Sequence, residues 1–132
     1  MINFEEKKRE LGSHCSLLIE DFYFFNNLDF YIELIENFLN YKIDADTFQT
    51  NFYDMWRLDL DKEHKWETIE YIIDNLKLKQ FQGVSSILSK LFTDLDVFEP
   101  NSLLRDDYEI GEEELRYFAK EALSKLKTYN DS

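Results

Sequence analysis

The chain has one cysteine, one proline and three glycines in 132 residues. A lone Cys15 excludes an intramolecular disulfide framework, and a thiol that needs no partner suits a reducing compartment, so the cytoplasm is the expected address. So few turn-formers argue against a sandwich or barrel of many short strands and favour helices joined by a few loops. Long apolar runs are missing too. The longest, CSLLIEDFYFF, is broken by Glu20 and Asp21, and the start MINFEEKKRE has neither the apolar core nor the cleavage site of a signal peptide. No membrane contact is expected. Cations are scarce: 15 Lys+Arg face 28 Asp+Glu, and the formal charge of −13 gives a far field that repels nucleic acid and attracts basic proteins. There is no Gly-rich phosphate loop, and the aromatics alternate with acids rather than with Lys and Arg, opposite to a nucleic-acid platform.

What is present is a large apolar complement, 44% hydrophobic with twelve Phe and eight Tyr, which places the chain outside the disordered class despite its charge. Its length fits one core. Leu28, Tyr31, Ile32, Ile35, Phe38 and Leu39 fall at spacings of three and four, which predicts a helix ending near Tyr41 to Ile43. Asp44 or Asp46 is a plausible N-cap for a following helix whose Phe48, Phe52, Met55 and Trp56 share a face. Ile69, Ile72, Ile73 and Leu76, then Val84, Ile87, Leu88, Leu91 and Phe92, repeat the pattern, with a break at Gln80 to Gly83. Pro100 sets Asp94 to Tyr108 as a loop. The chain resumes at Gly111: Glu112 to Glu114 suit the positive end of a helix dipole, Leu115, Phe118, Ala119, Ala122, Leu123 and Leu126 form its stripe, and Lys125 and Lys127 suit its far end. Leu11, Cys15, Leu18, Phe22 and Phe25 fit a helix, although the run Phe22 to Phe25 also suits a strand. The expectation is all-α, a compact antiparallel bundle of four to five helices.

The charge is unevenly distributed. Residues 20–74 hold fourteen acids and four bases, 75–93 have three lysines and no acid, and 94–114 pack nine carboxylates against one cation, Arg105. Asp59 to Glu70 offers oxygens at positions 1, 3, 5, 9 and 12 of a calcium-loop frame, but His64 stands where that loop needs Gly, so a solvated acidic loop is the better reading. Asp94 and Asp96 start a weaker match that Pro100 interrupts. Cys15 and His64 lack the orienting group and oxyanion site of a catalytic pair, and His14 beside Cys15 lacks further zinc ligands. No enzyme and no cofactor are expected. Two acidic surfaces are the candidate partner sites: Asp59, Asp61, Glu63 and Glu67 beside the aromatic anchor Trp56, and Asp94, Asp96, Glu99, Asp106 and Asp107. Asp94 and Asp96 read equally as groups that cap a helix and tie down the Pro100 loop.

Three segments in order carry a resemblance: the Leu28 to Tyr41 helix leading into KIDADTFQTNFYDMWRLDLDK, then LSKLFTDLDVFEP, then LLRDDYEIGEEELRYFAKEALSKL. Over about residues 28–126 the chain resembles the small bacterial self-protective immunity proteins typified by the colicin D immunity protein, which include immunity proteins of contact-dependent inhibition systems. The resemblance implies a single immunity-type domain over 1–132, with 1–27 as an N-terminal extension to a 28–126 core. It implies a monomer that forms a 1:1 complex with a toxin nuclease, often a tRNA-cleaving one, and acts as a charge mimic of the RNA. A nuclease that grips phosphates presents Lys, Arg and His, which a rigid array of carboxylates satisfies without offering a scissile bond. An acidic helical adaptor for another basic protein, and a calcium-responsive binder, are the alternatives.

Overall fold

A computed structural model of the chain describes residues 14–62, 66–75 and 80–130. Six helices form among the described residues: α1 His14–Asn26, α2 Leu28–Leu39, α3 Ala45–Leu60, α4 Trp66–Asn75, α5 Val84–Asp96 and α6 Glu112–Lys127. That exceeds the expected four to five; the N-terminal aromatic run is helical, the first of the two readings given for it, and only Asn27 separates it from α2. There is no strand among the described residues, where Phe98 and Ile110 make one isolated parallel bridge. Leu11, Glu63, His64 and Leu76, together with the side chains of Cys15, Trp66, Ile69 and Ile73, lie outside the description.

The apolar stripes are the packing faces. Tyr31, Ile35 and Phe38 of α2, Phe48 and Phe52 of α3, Leu88, Leu91 and Leu95 of α5, and Leu115, Ala119 and Leu126 of α6 share one core. Each fully buried Phe or Leu contributes about 1.5–3 kcal/mol relative to exposure. The Phe38 and Phe48 rings stack at 4.4 Å, and Phe48, Phe52 and Tyr31 continue edge to face. Helix α6 lies against α2 and α5, whereas α1 packs across α3, α4 and α5. A smaller cluster of Leu18, Ile72 and Phe81 seats α4 and the 80–83 turn on α1.

Helix α5 runs to Asp96, three residues into the segment expected to be loop, because Leu95 continues the buried stripe. Its N-terminus is capped from a distance. Gly83 has no side chain to offer, and Asp21 of α1 instead accepts from the Gly83 N–H (3.1 Å) and the Ser85 N–H (2.7 Å). Gly83 is required on two counts: its φ is +98°, and a Cβ there would lie 2.8 Å from the Tyr129 hydroxyl, which donates to the Gln82 carbonyl at 2.6 Å.

Helix α2 ends in a Schellman turn, with the Tyr41 N–H donating to the Phe38 carbonyl (3.1 Å) and the Lys42 N–H to the Asn37 carbonyl (2.9 Å). The left-handed position is Tyr41, φ +62°, where glycine is usual. The exposed Tyr41 ring lies 4.0 Å from the Arg116 guanidinium, which sits 4.2 Å from the Phe38 ring on its other side. Asp44 then caps α3, its carboxylate accepting from the Thr47 N–H at 2.8 Å, as expected.

Candidate partner-binding surface

The first acidic group does not assemble as one surface. Asp59 is 1% exposed inside the last turn of α3, where Oδ2 accepts from the Tyr31 hydroxyl at 2.7 Å, Oδ1 accepts from Asn27 Nδ2 at 2.5 Å, and Lys62 Nζ lies 3.2 Å away. Burial first, and Asp59 second, push the Tyr31 hydroxyl far above a phenol's ordinary range. Asp59 therefore closes the junction of α1, α2 and α3 and presents nothing outward, which corrects the expectation that it meets a partner. Its neighbour Trp56 also packs inward, stacked on Phe92 at 4.3 Å and on Phe24 at 6.4 Å, with its indole N–H buried and without a protein acceptor. The expected aromatic anchor is partly buried and packs against the core where α1, α3 and α5 meet. Asp61, the C-cap of α3, and Glu67, in the first turn of α4, are exposed. Glu63 lies outside the described residues. Because Asp59 sits in a helix with both oxygens engaged, the calcium-frame reading of Asp59 to Glu70 loses its first position. No group of three or more His, Cys, Asp or Glu among the described residues is placed to hold a metal ion.

The second group divides between support and surface. Asp94 is buried and pairs with Lys90 through both oxygens at 3.0 and 2.9 Å, one helical turn back, while the Lys90 ammonium lies 4.1 Å from the Phe118 ring of α6. Asp94 thus holds Lys90 against α6, a supporting role different from capping a helix or tying down the Pro100 loop. Asp96, Asp106 and Asp107 are exposed, and Glu99 is half-buried with its carboxylate accepting from the Asn101 N–H.

Asp96 ends α5, and Glu99, Asp106 and Asp107 belong to one closed loop, residues 97–111. The Ile110 N–H donates to the Val97 carbonyl at 2.8 Å and the Glu99 N–H to the Ile110 carbonyl at 2.9 Å, which pins the two ends together. Two tight turns fill the space between, at 101–104 and 106–109. In the first, the Leu103 N–H donates to Asn101 Oδ1, and in the second the Asp106 N–H donates to the Glu109 carboxylate. Arg105, at the joint, turns inward. Its Nε donates to the Glu99 carbonyl at 3.0 Å and Nη2 reaches the Pro100 carbonyl at 3.5 Å, with the guanidinium so close over Gly111 that a Cβ there would lie 2.7 Å from Nη2.

The consequence is electrostatic. The one cation among the nine acids of 94–114 is engaged by backbone carbonyls, and it makes no ion pair among the described residues. Glu109 and then Asp106 push the Tyr108 phenol up. The sequence reading missed the apolar members of this loop. Leu103 is 92% exposed, Leu104 69% and Tyr108 70%. The signal was present, since neither leucine continues any helical stripe.

The chemistry available here is recognition: fixed carboxylates and apolar side chains on a stapled loop. A family model for bacterial self-protective colicin-like immunity matches residues 27–126. Searches of curated proteins and of solved structures returned no match. No helix among the described residues is long and apolar enough to cross a membrane. The matched span covers α2 through α6 and includes the whole 97–111 loop, and the chain accordingly belongs to the bacterial self-protective colicin-like immunity family, whose members neutralise toxins.

Proposed function

We propose that the chain protects its cell by binding a toxin nuclease, a tRNA-cleaving one, and covering that enzyme's basic active-site region in a 1:1 complex, without chemistry of its own. The engagement of Arg105 by backbone carbonyls carries this reading. It leaves Asp106 and Asp107 exposed and without a cationic partner among the described residues, on a loop whose ends are hydrogen-bonded together, with exposed Asp96 at the helix end that leads into it. A phosphate-binding enzyme offers such carboxylates the charge-assisted donors that it otherwise offers RNA. The residual charge also accelerates encounter, which matters when free toxin is lethal. Asp61 and Glu67 extend the acidic field from the α3–α4 side, and Asp59, Asp94 and Trp56 act by holding the scaffold.

The complex forms in the cytoplasm and needs neither metal nor nucleic acid. The test is tRNA cleavage by the toxin domain encoded next to this gene, titrated with the chain. Cleavage is expected to stop at one equivalent, with the association rate falling as salt rises. Unimpaired cleavage in the presence of excess chain overturns the reading.

A further inference from the structure

Nine large hydrophobic side chains are exposed among the described residues, and six are dispersed: Leu17, Phe30, Tyr41, Leu58, Tyr71 and Tyr117. The other three, Leu103, Leu104 and Tyr108, fall within six consecutive residues of the 97–111 loop. A soluble monomer has no structural need to hold two leucines this far out. The aliphatic residues face solvent and the cation faces protein, an inversion of the usual preference.

The inversion has a physical cause. Arg105 takes the inward position because the Glu99 and Pro100 carbonyls accept its donors. The 101–104 turn and the 106–109 turn flank it in the chain, the first bearing Leu103 and Leu104 and the second bearing Tyr108 with Asp106 and Asp107, all exposed. Aromatic and aliphatic side chains presented on a fixed backbone lose little freedom on binding, and exposed apolar groups within a polar rim mark an interaction surface.

We propose that Leu103, Leu104 and Tyr108 form the apolar anchor of the toxin interface, inserting into a recess beside the toxin nuclease's cationic groups, and that Asp106 and Asp107 form its electrostatic rim. This rests on the proposed function above and assigns separate tasks within it. The occupant is fixed by charge. Residues 94–114 carry −8, nine acids against one base, so the surface around the leucines accepts a basic protein and repels a second copy of this chain at −13. Rim carboxylates govern how fast the complex forms, whereas the desolvated apolar centre governs how long it lasts.

The experiment measures association and dissociation rates against a catalytically inactive form of the toxin domain encoded next to this gene. Leu103→Ser/Leu104→Ser and Tyr108→Ser are compared with Asp106→Asn/Asp107→Asn, with far-UV circular dichroism and melting recorded for each. Loss of the leucine pair is expected to raise the dissociation rate roughly 30-fold or more while changing the association rate little. Loss of the aspartates is expected to slow association and flatten its salt dependence. If wild type binds and the folded leucine variant dissociates at the wild-type rate, the anchor is wrong and the proposed function stands. If wild type does not bind the toxin domain, both fall. Sedimentation of the chain alone provides a further arm: concentration-dependent dimers abolished by Leu103→Ser/Leu104→Ser, with toxin dissociation unaltered, assign the patch to self-association and overturn the proposal.

Discussion

Asp59 and Asp21 show what a single carboxylate does when it falls on a helix's apolar face. Asp59 follows Phe52 by seven residues and Trp56 by three, and Asp21 follows Leu18 by three, so both share the phase of buried positions. Each is then satisfied by donors from another element. Asp59→Ala orphans the Tyr31 hydroxyl and the Asn27 amide, and at about 1–3 kcal/mol per buried unsatisfied group it is expected to lower the urea midpoint by the equivalent of at least about 2 kcal/mol. Toxin-binding rate constants measured on the folded fraction are expected to stay at wild-type values, which sets Asp59 apart from Asp106 and Asp107. Tyr31 adds a pH dependence of definite sign. Its folded-state pKa lies above the ordinary 10.0, so the native chain retains a proton that the unfolded chain releases. The contribution is complete below pH 10 and declines as pH rises beyond it. Alkaline titration followed by phenolate absorbance is expected to show one tyrosine that ionises only as the helix signal collapses, and Tyr31→Phe is expected to remove that coupling.

At the scale of elements, α2 and α3 meet through two devices of opposite cost. The Schellman turn places Tyr41 at φ +62°, which costs a non-glycine residue roughly 1–2 kcal/mol, while the exposed stack on Arg116 returns roughly 0.5–1 kcal/mol. Tyr41→Gly is therefore expected to leave the melting temperature unchanged or slightly raised, and Tyr41→Val, which keeps the strain and loses the stack, to lower it. Asp44 works the other way. Its pKa is held below the ordinary carboxylate value mainly by the Thr47 N–H, so its stabilisation is present above that ordinary value and is lost as pH falls through the lowered one. Acid titration followed by the Asp44 carboxyl resonance is expected to give a midpoint below that of exposed aspartates. Devices of these two kinds differ in legibility. The Asp44 cap, the α2 and α6 stripes and the Glu112 to Glu114 helix start depend on neighbours in sequence, and the chain declares them. The Asp21 cap on α5, 62 residues away at Gly83, and the inward turn of Arg105 depend on tertiary placement, which no local spacing encodes. The candidate site suffered most, because acidity alone did not separate buried Asp59 and Asp94 from exposed Asp106 and Asp107, although helical phase does.

Across the whole molecule, α1 lies entirely before the family-matched span yet is bound into the fold by Asp21, Phe24 and Leu18. Among the described residues α1 is a structural member of the same packed unit. A chain beginning at Leu28 is expected to lose cooperative unfolding and much of its helical signal, because the α5 N-terminus loses its carboxylate and Phe24 leaves a cavity lined by Tyr31 and Trp56. Retention of a sharp melting transition in that shortened chain is the contrary result. Trp56 gives the same junction an optical consequence. Its indole is clamped between one ring of α1 and one ring of α5, with its N–H shielded from solvent, so in a Trp66→Phe background its fluorescence arises from the point where α1, α3 and α5 converge. Emission is expected at short wavelength while α1 is docked and to shift to the red when that contact opens. The 97–111 loop carries no tryptophan, so the same signal reports whether events there propagate through α5 to this junction or stop at the stapled loop.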